Sequence, residues 1–268
     1  MRYNKEVFHM KHNFDQLENR FTYAERRGHQ SWLDFVRKHV GIEGKTVADI
    51  GCGGGIYTTL FAENGAKHVT GVDQSEKMLT AAREKNSGGN IDYVHAPSDD
   101  LSVLQRGTID VLLARALIHH LDTLRPTFEA FHRTLRAENG VAIIQDRTPA
   151  DCFLPGSQTH LRGYLFEKFP FLREVEEKRR FTDEQVQYAL KEAGFTEVST
   201  HHLWEVRDVY ADIEEVRHDL RTRRGRSILH QLDDAQIEAL IAHVEKSIGD
   251  MTDEIIEKDR WTIWIARV

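Results

Sequence analysis

Cysteine is almost absent from this chain: only Cys52 and Cys152 occur, with no C-x-x-C pair. Neither a disulfide framework nor a cysteine zinc site is therefore expected. Long apolar runs are missing as well. No stretch of ~18 apolar residues could span a bilayer, and the opening M-R-Y-N-K-E-V-F-H-M-K-H has no signal-peptide core. Positive charge is in deficit, with 36 lysines and arginines against 43 acidic residues and a net charge of −7, which argues against a dedicated nucleic-acid binder. Repeats and low-complexity tracts are lacking, and His9, His12, His201 and His202 show no convergent ligand spacing, so no metal is expected. What remains is a soluble, cytoplasmic protein of a reducing compartment, with neither membrane nor DNA among its partners.

The 268 residues, 40% of them hydrophobic, can bury one main core and a small appended unit. Apolar periodicity supplies the plan. Trp32, Phe35, Val36 and Val40 have helical spacing, and strands are expected at Thr46–Ile50, His68–Val72, Ile91–His95, Ile109–Leu113 and Val141–Gln145. Between them lie helices over Ile56–Glu63, from the N-cap Ser75 onward, and around Phe128, Phe131 and Leu135. Such alternation argues for a doubly wound α/β fold. Residues 147–180 hold Pro149, Pro155 and Pro170 and read as irregular. A capping box at Thr182-Asp183-Glu184-Gln185 then opens a helix stopped by Gly194. Strands follow at Phe195–Thr200 and Trp261–Val268, separated by a long insertion with an amphipathic helix of Ile237, Leu240, Ile241, Val244 and Ile248.

After the first strand the chain reads V-A-D-I-G-C-G-G-G, placing Gly51, Gly53 and Gly55 in the G-x-G-x-G spacing used for S-adenosylmethionine (SAM). Ile56 occupies the third glycine position of the dinucleotide pattern G-x-G-x-x-G. Bare backbone lets such a turn take positive φ and lie flush against an extended ligand. Asp73, 22 residues past Gly51 at the end of the second strand, is placed to accept ribose hydroxyls, a role shared by SAM and NAD sites.

With G-V-D-Q-S-E-K-M-L-T-A-A-R-E-K, V-H-A-P-S-D-D-L and I-D-V-L-L-A-R-A-L-I-H-H-L-D following in order, residues 45–147 resemble the class I SAM-dependent methyltransferases. The last motif is similar to the ubiquinone- and menaquinone-biosynthesis subgroup, which acts mostly on small molecules. The resemblance implies a seven-stranded, mostly parallel sheet with an antiparallel last strand, and SAM as cofactor, released as S-adenosylhomocysteine. By the same resemblance Asp49 and backbone near Ala114 meet the methionine end, Asp73 the ribose, and Gln74 and Met78 the adenine. Ala96-Pro97-Ser98 departs from the family's glycine-aspartate-alanine, leaving Asp99 and the Ser98 N–H as substitutes, with helix-start capping as the alternative for Asp99 and Asp100. Residues 1–44 become an N-terminal helical arm over the cofactor, where Tyr23, Arg26, Arg27 and His29 would meet its carboxylate unless they form a solvated helix face. Residues 45–206 with 259–268 form the α/β domain, including 147–180 as an irregular lid, and 207–258 a helical cap.

Methyl transfer gains much from positioning the acceptor; a protonated acceptor also needs a base, typically histidine. His119 and His120 lie just past the fourth strand, where either acts on the acceptor or simply packs. For the substrate, Arg147 and the run R-T-R-R-G-R, with Arg223 and Arg224, are candidates; a solvated turn paired with acids is the other reading of the run. The expected activity is methyl transfer to a small molecule. RNA or protein acceptors, an NAD-dependent dehydrogenase and a non-catalytic SAM-binding protein are the alternatives.

Overall fold

The computed structural model describes residues 30–86, 88–249 and 254–268. Seven strands form one sheet in the order β3-β2-β1-β4-β5-β7-β6. They are β1 (Thr46–Ile50), β2 (His68–Asp73), β3 (Ile91–His95), β4 (Val111–Arg115), β5 (Val141–Asp146), β6 (Glu197–Tyr210) and β7 (Ile255–Arg267). Strands β1 to β5 pair in parallel, whereas β7 runs antiparallel to both β5 and β6.

Both faces of the sheet are covered, which is why its central strands read as unbroken apolar runs. Leu112 and Ala114 of β4 pack with Phe128 and Phe131 of α4 (Arg125–Thr134) and Val186 and Leu190 of α8 (Asp183–Glu192). Val111 and Leu113 face the other way, onto Trp32 and Val36 of α1 (Gln30–His39) and Phe61 of α2 (Ile56–Glu63). Helix α3 (Glu76–Lys85) begins where Ser75 Oγ accepts from the Met78 N–H, as its sequence implied. The Thr182–Gln185 capping box is also formed.

A third core lies beyond the sheet's β7 side. It joins α5 (Pro149–Cys152), α6 (Leu161–Lys168) and α7 (Leu172–Arg179) to α9 (Ile213–Thr222) and α10 (Asp234–Ile248). All five apolar residues expected on the inner face of α10 are buried, each full burial of such a side chain contributing roughly 1.5–3 kcal/mol.

Four elements depart from the sequence reading. Residues 147–180, expected to be irregular, form α5 to α7, and their aromatics divide between buried Tyr164 and Phe166 and exposed Phe171. Strand β4 begins at Val111 rather than Ile109, which makes only an isolated bridge to Leu135, and it ends on Arg115. Strands β6 and β7 are 14 and 13 residues long, so residues 207–210 and 255–258, assigned to the insertion, belong to the sheet. The inward positions of early β7 explain the miss: Ile255, Glu257, Asp259 and Trp261 all point inward, and two are carboxylates that an apolar count rejects.

Candidate active site

Strand order reverses between β1 and β4, so the crevice at their carboxyl ends is where an open α/β sheet takes its ligands. The glycine turn lies on one side of this crevice. Gly51, Gly53 and Gly55 have φ of 72°, 53° and 77°, the left-handed region that favours glycine. Asp73, closing β2, accepts from the Gly53 N–H and the Ser75 N–H at 2.8 Å each. These bonds fix its carboxylate across the turn, although burial still raises its pKa.

Asp49 lies deeper, 2% exposed, and accepts from Thr58 Oγ1 at 2.7 Å. Burial pushes its pKa up to about 6, the Thr58 bond opposing this and nearby Asp73 adding to it. A buried carboxylate so thinly compensated suits an ammonium partner. Met78 is buried with its Cε 3.3 Å from where a Cβ on Gly53 would stand, and Gln74 is exposed with its carbonyl 2.9 Å from His95 Nε2. Ala114 is fully buried at the end of β4. Ser98 Oγ lies 3.4 Å from Thr127 Oγ1, Asp99 is exposed, and Asp100 accepts from the Ser102 N–H in a turn, with no helix starting there for either aspartate to cap. Tyr23, Arg26, Arg27 and His29 lie outside the described residues.

His119 sits on a 3-10 turn, Ile118–His120, directly past β4. Its Nδ1 lies 2.8 and 3.0 Å from the two oxygens of Asp146, the last residue of β5. Asp146 also accepts from the Arg147 N–H at 2.8 Å and Arg180 Nη1 at 3.0 Å. This arrangement assigns the proton to Nδ1 and leaves Nε2 as the acceptor nitrogen. Burial lowers the imidazole's pKa despite the adjoining carboxylate, so the ring is neutral at pH 7. His120 is exposed, its ring centroid 3.9 Å from that of His119.

Sequence spacing gave no sign of the ionic network that continues from there. Arg180 Nε donates to Glu176 at 2.6 Å, Arg162 Nε to Asp259 at 3.0 Å, and Arg147 Nη1 pairs with the same Asp259. On the β4 side Arg115 donates to Glu205 at 2.5 Å, Glu205 accepts from Gln145, and Gln145 accepts from the Trp32 indole. Trp261 joins the two arms, lying 4.4 Å from the Arg115 guanidinium and 4.3 Å from that of Arg147. The sequence reading names Arg147 as a substrate candidate and misses Asp146, whose readable signal is that of a strand-end acid in the manner of Asp73.

Arg223 and Arg224 are not brought to this edge network. Arg223 donates to the Leu229 and Leu232 carbonyls and to Asp234, while the Arg224 carbonyl accepts from Arg207. Among the described residues no group of three or more histidines, cysteines and acids could hold a metal, and no helix is long and apolar enough to cross a membrane.

Comparison with known proteins agrees with the crevice. A family model described as a methyltransferase domain matches residues 48–144. That segment is thus similar to known methyltransferase domains. Ubiquinone biosynthesis O-methyltransferase of Aromatoleum aromaticum is 38% identical over 106 residues, 39% of this chain and 45% of that relative. Its Pseudomonas aeruginosa PAO1 namesake is 33% identical over 108 residues, 40% and 45% of the two chains. The chain thus spans somewhat under half the length of these curated relatives. A crystal structure of a putative methyltransferase from an antibiotic biosynthesis pathway of Anabaena variabilis superposes with a TM-score of 0.64 at 19% identity, covering 87% of this chain and 95% of that one. Haemonchus contortus phosphoethanolamine N-methyltransferase 2, solved with S-adenosyl-L-methionine, gives 0.57 at 17% identity, covering 96% and 58%. Such identities establish the fold alone: a seven-stranded methyltransferase sheet.

Proposed function

We propose that the chain is a SAM-dependent methyltransferase whose acceptor is a small molecule methylated on oxygen. The observation that carries the cofactor is the Asp73 carboxylate pinned across the glycine turn by Gly53 and Ser75. From there it can take two ribose hydroxyls, with Gly51, Gly53 and Gly55 against the ligand and Asp49 offered to an amino group. SAM would supply an electrophilic methyl group on a sulfonium. The occupant NAD is disfavoured by Ile56 in place of the third dinucleotide glycine.

The protein's own contribution is positioning and proton removal. His119, held by Asp146 and neutral at pH 7, can take a hydroxyl proton through Nε2, which raises the nucleophilicity of the acceptor oxygen; such a base is worth ~10²- to 10⁴-fold. The helices of the third core, which follow the carboxyl ends of β5 and β6, would cover the acceptor. O-methylation by relatives that share the methyltransferase domain supports this choice of atom.

Calorimetry with S-adenosylhomocysteine and NAD tests the reading. We expect the adenosyl ligand to bind and NAD not to; tight NAD binding without a response to the adenosyl ligand would refute it.

A further inference from the structure

Two guanidinium groups lie within 4.5 Å of one indole ring, with Arg115 at 4.4 Å and Arg147 at 4.3 Å from the Trp261 centroid. Each is tethered by one carboxylate through a terminal nitrogen, Arg115 by Glu205 and Arg147 by Asp259. In both the Nε is buried and, among the described residues, has no hydrogen-bond partner. An unpaired buried donor is costly, and a guanidinium is built to present its Nε edge to two oxygens at once.

The two arginines differ in how well their charge is met. Glu205 serves Arg115 among the arginines, whereas Asp259 is shared between Arg147 and Arg162. Burial accordingly depresses Arg147 to about 9, with the Arg162 charge adding to the effect and Asp259 opposing it. Arg115, equally buried, is raised instead, because Glu205, Tyr57 and Asp146 together outweigh its desolvation. Arg147 also directly follows Asp146, and its backbone N–H donates to the carboxylate that holds His119. Its side chain is 12% exposed. In the late arginine run, Arg221 is occupied by Glu238 through two nitrogens, while Arg226 also has an unpartnered buried Nε but its side chain, paired with Glu257, is only 3% exposed.

We propose that Arg147, backed by the Trp261 face and by Arg115, binds an oxyanion, a carboxylate or phosphate, carried by the methyl acceptor beside its reacting hydroxyl. This rests on the methyltransferase reading and narrows its substrate to an anionic small molecule. The same edge could instead meet the carboxylate of SAM, which is the competing source of that chemistry.

The test titrates the protein, ligand-free and loaded with S-adenosylhomocysteine, with benzoate, phenyl phosphate and the neutral analogue benzamide. At least one oxyanion should bind about tenfold more tightly than benzamide, the gain expected of a charge-assisted bond. R147Q should erase that preference and leave S-adenosylhomocysteine affinity within about twofold, while R147K, which keeps the charge without the fork, should retain part of it. Equal binding of oxyanions and benzamide to the native protein overturns the proposal and needs no variant. So does an R147Q protein that keeps the preference but binds S-adenosylhomocysteine about tenfold more weakly, since the edge then belongs to the cofactor. If S-adenosylhomocysteine fails to bind at all, the methyltransferase reading falls, and the ligand-free titration still decides the oxyanion site.

Discussion

The two ends of the crevice hold buried carboxylates in opposite electrostatic states. Near the glycine turn, burial wins: Asp49 is lifted to about 6 and Asp73 is raised. Near β5 and β7, burial also pushes Asp146, Glu176 and Asp259 up, but His119 and Arg180 beside Asp146, and arginines beside the other two, hold all three well below the ordinary range. Linkage turns this into opposite pH dependences. The raised pair costs nothing below pH ~4 and progressively more as pH rises toward their folded values. The depressed trio contributes above the usual carboxylate range of roughly 4 and loses that contribution as pH falls. One end is left short of cations and the other is saturated with them, which suits a binding pocket and a rigid support respectively.

The sharpest way to break that contrast is to remove Asp259, which serves both Arg147 and Arg162. Truncating one partner of a buried ionic group leaves uncompensated charge and costs ~3–5 kcal/mol. Asp259→Ala should lose about that much in urea unfolding at pH 7. S-adenosylhomocysteine affinity of the folded variant should hold, because no bond from Asp259 reaches the glycine turn. A matching loss of affinity would mean the two ends are one unit.

The same division explains what the sequence showed. Bonds at the cofactor end join residues separated by 2, 9 and 20 positions, within the span of one β-α-β unit, so a short motif records them. Bonds at the acceptor end join residues 90, 97 and 112 positions apart. No local spacing reports that Arg115 will meet Glu205 or that Arg147 and Arg162 will share Asp259. Glu257 and Asp259 also disguised the start of β7, because inward-facing acids look like a solvated segment until their arginines are known. The parallel sheet, its order of elements and the helix caps were legible, since each follows from neighbours in the chain.

A smaller effect sharpens the contrast from the other side. Asp49→Asn removes a charge held against burial while keeping an oxygen for the Thr58 hydroxyl. Its carboxyl is raised from 3.8 to about 6, and each tenfold in proton affinity is worth about 1.4 kcal/mol. The ligand-free variant should gain about 1–3 kcal/mol at pH 7.5, and the gain should vanish by about pH 3, where the native carboxyl is largely protonated in both states. Affinity for S-adenosylhomocysteine should fall, since the amide cannot pair with an ammonium. Unfolding curves at the two pH values check the first claim; a gain that does not depend on pH would place the strain elsewhere.

The smallest effect separates backbone strain from site geometry. Gly53 has φ of 53°, and a Cβ there would meet only the Met78 methyl at 3.3 Å, the flexible end of a side chain that can yield. Gly41 has φ of 71° with nothing within 4 Å. Alanine at either position should therefore cost a similar ~1–2 kcal/mol, the left-handed penalty alone. The Gly53 N–H, however, holds Asp73 Oδ2. Gly53→Ala should therefore weaken S-adenosylhomocysteine binding and Gly41→Ala should not, with thermal unfolding showing equal losses. Equal affinities for the two variants would mean that Asp73 does not need the turn to hold it, and the cofactor end would then be side-chain-built like the acceptor end.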